Sequence, residues 1–401
     1  MGVTVVEHGR FTDDLVHRWQ VLADRCGCAL FSTPGWCRTW IETVGRDVRP
    51  VIVEVRDGDR TVAILPIGIH RRRGCRWCEM LGGARVGGDH LDLICRPAAA
   101  GQVTGAILDY LATAPRRFDG WHLANITNRS VFAACLLERC ARNRDPWIEH
   151  NRLQLPYVPL PASLDAYVRS LSSNMRYHIR RRWRQADQAG AGVRMVRDPV
   201  EVGSFLDTFL VLHAARWRSM NKPGAFTDPD KRRFLVEWCH AAALRGWLRG
   251  YLLQIEEQAV GALIAFHHRD RACFYQMGWR PNRWVHSPGV VLLTASIRQA
   301  IGEQLAVYDF LQGDEHYKSR WTRSAARQRT VVIGQSLSAK VVVMAMRLKQ
   351  ACTSVMVHRH SPHDRHPPVP STPPVPPKPS LPPVPSVPSV ASLTAQSEPL
   401  P

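Results

Sequence analysis

The chain contains no run of 18 or more uninterrupted apolar residues, so no membrane-crossing helix is expected from its sequence. Its start, MGVTVVEHGRFTDDLVHRW, lacks a basic stretch followed by an apolar core, which argues against a secretory leader. Cysteine is present without order. Eleven cysteines form no regular framework in 401 residues, and Cys75-Arg-Trp-Cys78 has no second pair at zinc-ribbon spacing. Scattered buried thiols in a reducing cytoplasm are the reading that fits, and no metal is expected. Acidic residues are also scarce: 34 Asp and Glu face 53 Lys and Arg, a net charge of +19. That balance suits a phosphate-rich ligand, a nucleic acid or an anionic membrane surface, and does not choose among them. The Gly82-Gly-Ala-Arg-Val-Gly-Gly88 stretch is too irregular for a dinucleotide or Walker loop.

Hydrophobic residues make up 45 % of the chain, enough for ordinary globular cores. About half of the 29 prolines fall in 361–401, a density that excludes helix and central strand and predicts a disordered tail. The segment 337–360 before it reads as an amphipathic helix, either packed on the body or lying on a membrane surface. The body divides near Asn151–Pro161, where LQLPYVPLPAS reads as a linker. This gives two domains, 1–155 and 156–336.

Each half runs through a similar order of elements. In the first, Val3–Glu7, Pro50–Arg56, Thr61–Ile69 and Trp121–Ile126 read as strands, and Phe11–Arg25 and Pro34–Val44 as helices. In the second, Leu164–Ala189 reads as one long basic helix. It is followed by a strand, two helices, three strands, the helix Val290–Gln304 and a strand Ala306–Leu311. Arg329–Ile333 is placed as the closing strand. The expected fold is mixed α/β, with an internal duplication visible in element order.

Two stretches carry the chemistry. Gly278-Trp-Arg-Pro-Asn-Arg-Trp-Val-His-Ser-Pro-Gly-Val290 leaves a strand, crosses a basic loop and enters an apolar helix. Such a helix start offers unpaired N–H groups to a phosphate, with Arg280 and Arg283 nearby, although an ordinary strand-to-helix turn has the same composition. In Tyr308-Asp-Phe-Leu-Gln-Gly-Asp-Glu-His-Tyr-Lys318, a carboxylate can take a proton from an amine and Lys318 can steady an oxyanion. A Glu315–Lys318 ion pair is the structural alternative.

These stretches resemble the acetyltransferase family associated with bacterial cellulose-biosynthesis CelD proteins and BioF2-like domains. That family belongs to the GNAT superfamily and is related to the FemABX peptidyltransferases. The matching pieces are Ser173-Asn-Met-Arg-Tyr-His-Ile-Arg180, Val260–Phe266, Tyr275-Gln-Met-Gly-Trp279, Ser287-Pro-Gly289 and Tyr308–Lys318, so the resemblance covers about Ser163–Gly334. It implies tandem GNAT-like domains, with mostly antiparallel sheets flanked by helices. It also implies transfer of an acyl group from acetyl-CoA or another acyl-CoA to a small-molecule amine, such as an amino sugar or a cell-envelope or polysaccharide precursor. The donor is then expected between the strands ending near Gly278 and Leu311, held by Met277, Arg283, Ser287, Pro288, Gly289 and Val290. Lys318 is the candidate for the oxyanion, Asp309 or Glu315 for the base, and Tyr275, Trp279 and Tyr317 for acceptor contacts. Gly87-Gly-Asp-His-Leu-Asp-Leu-Ile94 resembles the family's Asp-Tyr-Leu-Asp segment and makes Asp89 and Asp92 further acceptor contacts, with structural capping as the alternative. The FemABX relationship keeps aminoacyl-tRNA as an alternative donor, and a non-catalytic GNAT-like scaffold is the third reading. The expected location is cytoplasmic, with peripheral contact at the inner membrane surface in reserve.

Overall fold

The computed structural model describes residues 2–83, 85–113, 117–280, 287–313 and 317–359, with side chains to 352 in the last stretch. Its first half contains β1 (Thr4–His8), α1 (Asp13–Cys26), α2 (Pro34–Glu42), β2 (Arg49–Asp57), β3 (Arg60–Arg72), β4 (Cys75–Met80), β5 (Ile94–Cys95), α3 (Ala100–Thr113), β6 (Gly120–Thr127), α4 (Val131–Arg142) and β7 (Trp147–Pro159). The second half contains α5 (Leu164–Ser170), α6 (Ser173–Gln188), β8 (Ala191–Val196), α7 (Val202–Arg218), α8 (Pro229–Leu244), β9 (Leu248–Ile255), β10 (Gln258–His268), β11 (Arg271–Trp279), α9 (Pro288–Gly302), β12 (Val307–Asp309) and β13 (Ala325–Gly334). α10 (Leu337–Arg359) follows.

The sequence β1-α-α-β2-β3-β4-α3-β6 recurs as β8-α-α-β9-β10-β11-α9-β12, so the duplication read from element order is present in three dimensions. Each copy makes antiparallel hairpins and then one parallel pair, β4 with β6 and β11 with β12. Met1–Ala351 forms one unit, with all thirteen strands of the described residues in a single sheet. The two copies join by exchange. β13, from the second half, pairs with β6 and β7 of the first. β7 in turn reaches past β13 and pairs with β12 through Tyr157, Val158 and Pro159.

The segment read as a linker is therefore the seam strand β7. Its prolines are tolerated because the bonds at the seam need acceptors where the prolines stand. Pro156 O accepts from the Phe310 N–H at 2.9 Å, while Tyr157 and Leu160 donate to Ser324 O and Ala306 O at 3.0 and 2.8 Å. The long basic helix is also two helices. Leu171 is extended at φ −77°, ψ 162°, and the Ser172 hydroxyl accepts from Met175 N–H to start α6 afresh. Cys75 and Cys78 are both buried but belong to different apolar clusters, so the CxxC spacing brings no paired thiols together. All eleven cysteines are free.

One close approach fixes the course of β11. α7 crosses Gly278 so tightly that an added Cβ would lie 2.3 Å from the His213 backbone nitrogen. Backbone cannot yield as a flexible side chain does. Gly278→Ala is expected to destabilise the protein by about 2 kcal/mol or more, read as a lower urea midpoint; an unchanged midpoint would show that α7 moves freely.

Candidate functional site

β11 and β12 run parallel for three residues only, Arg271–Cys273 against Val307–Asp309. β12 then stops, while β11 continues to Trp279 with β10 on its other edge. Phe274–Trp279 thus lack a β12 partner on the side where the strands part. These are the two strands between which the resemblance implies the donor, and the start of α9 lies where they part.

A pocket of about 460 Å³ occupies this place. Its walls include Met277, Trp279 and Arg280 at the end of β11, Ser287–Val290 and Leu293 on α9, and Tyr317. Ser287 is held in the left-handed region (φ 61°, ψ 62°), and its hydroxyl makes no capping bond. Side-chain caps close the starts of α1, α2, α4, α5, α6 and α8. At α9 the Ser287 side chain caps none of the first-turn N–H groups, as Glu201 caps none at α7, and a helix end left so can receive an anion. Gly289 lets the start of α9 come close to β11, because a Cβ there would sit 3.3 Å from the Met277 sulfur. The strand end is steadied from α7: Arg216 donates to Met277 O at 3.0 Å and stacks 4.2 Å from the Trp279 ring centroid.

A second hollow of about 840 Å³ lies next to the first. It is bounded by Val158 and Pro159 of β7, Tyr167 of α5, the first turns of α6 and Ser319–Ser324. The last segment is pinned by Tyr167 OH donating to Trp321 O at 2.8 Å and Thr322 Oγ1 donating to Tyr157 O at 2.7 Å. Met175, His178, Arg320 and Trp321 line both hollows. Two molecules entering from the two sides would therefore meet at this wall. Among the described residues that line both hollows, His178 is the one histidine. Burial, followed by the nearby Arg182, Arg320 and Arg181 charges, lowers its pKa from 6.5, so the imidazole is neutral at pH 7.

His178 did not emerge from the sequence, where the arginines around it drew attention. A signal was available: with α6 starting at Ser173, His178 falls three residues after the buried Met175, on the helix edge that meets the core.

The other expected site residues divide into three groups. Met277, Trp279, Ser287, Pro288, Gly289, Val290 and Tyr317 do come together at the pocket. Arg283 and Glu315 lie outside the described residues. The remainder form a brace behind the strand ends. Asp309, 1 % exposed, receives His90 Nε2 at 2.7 Å and Arg271 Nη1 at 2.8 Å on Oδ2, and Leu311 N–H at 2.8 Å on Oδ1. Burial pushes its pKa up, but the His90, Arg271 and Leu311 contacts outweigh that and hold it below the usual carboxylate value. Asp89 accepts from Gln312 N–H and Gln328 Nε2 at 2.8 and 2.6 Å, and burial raises its pKa to about 6. Lys318 is buried and donates to Gln312 O at 2.7 Å, with Nζ 6.0 Å from the Phe274 ring centroid. Asp92 accepts from Ser130 Oγ, the N-cap of α4, at 2.6 Å. The Tyr275 hydroxyl donates to Val86 O at 2.8 Å. Asp89 on Gln312 and His90 on Asp309 tie the 86–92 loop of the first half to the end of β12, Tyr275 ties it to β11, and Asp92 stays within the first half at the start of α4. No group of His, Cys, Asp or Glu able to hold a metal occurs among the described residues.

Residues 173–319 match the family described as acetyltransferase (GNAT) domain. No curated protein matches the sequence. The fold is similar to that of FemX (TM-score 0.58, 8 % identity, covering 82 % of this chain and 97 % of that one). It is also similar to the C-terminal domain of a putative lysylphosphatidylglycerol synthetase from Agrobacterium fabrum (TM-score 0.52, 11 % identity, 82 % and 94 % covered). L-PGS from Bacillus licheniformis resembles it to the same degree (TM-score 0.51, 12 % identity, 82 % and 95 % covered). At these identities the likeness concerns the fold.

Removing the charge at the brace gives a stability test. Asp309→Asn leaves Arg271 without its buried carboxylate and is expected to cost about 3 kcal/mol. Because the folded pKa is depressed, the stabilisation is present above the unfolded value of about 3.9 and is lost as pH falls through the folded one. Urea unfolding at pH 7 and pH 3 checks this: the gap between variant and wild type should narrow in acid, and an equal gap at both would locate the effect elsewhere.

Proposed function

With residues 173–319 taken as the GNAT domain they match, we propose that this protein moves an acyl group from an acyl-CoA, acetyl-CoA in the simplest case, to an amine. The observation that carries this reading is the shared wall. The narrow pocket at the strand splay and the wider groove beside it have His178 and Trp321 in common. At about 460 Å³ the narrow pocket has the size of a small-ligand site. The unpaired edge of β11 and the open α9 start fit an extended chain ending in a pyrophosphate. Arg280 and Arg320 line the same pocket and add positive charge. The wider groove takes the acceptor.

The chain's own groups then do three things. Met277, Trp279, Pro288 and Tyr317 wall the acyl end away from water and orient it, which supplies proximity. Neutral His178 accepts the proton that the amine nitrogen sheds as its C–N bond forms and the C–S bond breaks. Asp309, Asp89 and Lys318 position the segment that carries Tyr317, Arg320 and Trp321. The leaving thiol takes its hydrogen from solvent or from protonated His178. An amino sugar or envelope precursor is the acceptor class that the family resemblance offers.

A second donor, aminoacyl-tRNA, is favoured by one feature. Arg176, Arg180, Arg181 and Arg184 line an open hollow on α6 together with Tyr177, and no acidic residue is among its lining. The FemABX relationship points the same way.

Turnover of acetyl-CoA with a panel of amines, followed as free thiol, tests the proposal. His178→Ala is expected to lower kcat by about 100-fold. In wild type, kcat/KM should fall on the acid side with a midpoint below pH 6.5, because His178 has a lowered pKa and must be neutral to act. The variant should lack that limb. Absence of thiol release with any acyl-CoA, together with tRNA binding that weakens steeply with salt, would replace acyl-CoA by aminoacyl-tRNA.

A further inference from the structure

We propose that α10 docks this protein on an anionic lipid surface. A helix packed on a globular body ordinarily turns its polar side to water. α10 is apolar on its inner face and turns a second apolar stripe to water. Its inner face, Ala339 and Val343 with Val342 and Met346, packs on Cys75, Trp77, Ile148 and Val332 of the sheet. Its outer face carries Leu337, Val341, Met344 and Leu348, exposed by 81, 63, 46 and 65 %. These positions follow the i, i+4, i+7, i+11 pattern of one stripe, so the exposed apolar groups are contiguous and not scattered.

The charges around the stripe select its partner. On a helical projection Arg347 and Lys349 fall on opposite flanks of the stripe, and both are exposed. The segment Leu337–Arg359 contains no Asp or Glu. Lys340 pairs with Asp145 at 2.9 Å. The sequence continues with His358, Arg359, His360, His363, Arg365 and His366 against a single Asp364. An apolar stripe with cationic flanks is the arrangement of a helix lying in the headgroup region of a negatively charged bilayer. No helix among the described residues is long and apolar enough to cross a membrane, so the contact is along the surface. A second copy of this chain is a poorer occupant, because it would bring an equally cationic, acid-free helix against the first.

Co-sedimentation of the full chain with phosphatidylglycerol vesicles and with phosphatidylcholine vesicles tests this. Binding is expected to the first and not the second, and to weaken with salt. Val341→Glu with Leu348→Glu should lower the partition coefficient about tenfold or more. Both positions face solvent, so the thermal midpoint should stay within about a degree of wild type. Failure to bind anionic vesicles, equal binding to neutral ones, or undiminished binding by the double variant would overturn the proposal. So would a sedimentation-velocity dimer that the same two substitutions dissociate. The vesicle assay reads no turnover, so it stands or falls separately from the acyl-transfer reading.

Discussion

A buried carboxylate determines where β12 ends, and the end of β12 determines whether there is a site. Asp309 is the last residue of the strand and receives three donors, two from side chains and one from the Leu311 amide. The chain turns away there, and β11 runs on along Phe274–Trp279 with β10 but without β12. If β12 paired further, the pocket between the strands would be filled by sheet. Ionised Asp309 thus acts on the site through backbone, while the groups facing the hollows are other residues. Asp89 and Lys318 belong to the same brace, since both bond to Gln312 in the turn that follows.

The brace works because the two halves are not separate bodies within Met1–Ala351. β7 and β13 cross the seam in opposite senses, and each half supplies a strand to its counterpart's end of the sheet. As a consequence the wider groove has a first-half wall, Val158 and Pro159, beside second-half helices. His90, which reaches Asp309 across 219 positions of sequence, is a further example. A lone second half would lose the β7 pairing and the His90 contact together, so the proposed site requires both copies.

Local patterns in the sequence revealed what is locally determined. The alternation of Pro50–Arg56 and Thr61–Ile69, the helices Phe11–Arg25 and Pro34–Val44, and the Ser-Pro-Gly entry to α9 all appear near their expected places. What stayed hidden depends on distant partners or on single capping bonds. Pro156 and Pro159 suggested a linker because the identity of β7's neighbours cannot be read from its own residues. Ser172 has the sequence context of a helix interior position, and only its hydroxyl bond to Met175 N–H makes it the start of α6. Asp309 invited a role as base, since nothing adjacent in sequence shows that its oxygens are engaged. His178 was masked by the arginines that surround it, although those arginines help to keep it neutral.

The splay between β11 and β12, with the start of α9, is the proposed donor seat. Hydrogen–deuterium exchange with and without acetyl-CoA addresses it without knowledge of the acceptor. Protection confined to the backbone of 274–279 and 287–293, with the basic face of α6 unchanged, is the predicted result. No change in those two segments at saturating acetyl-CoA, or protection restricted to Arg176–Arg184, would contradict it.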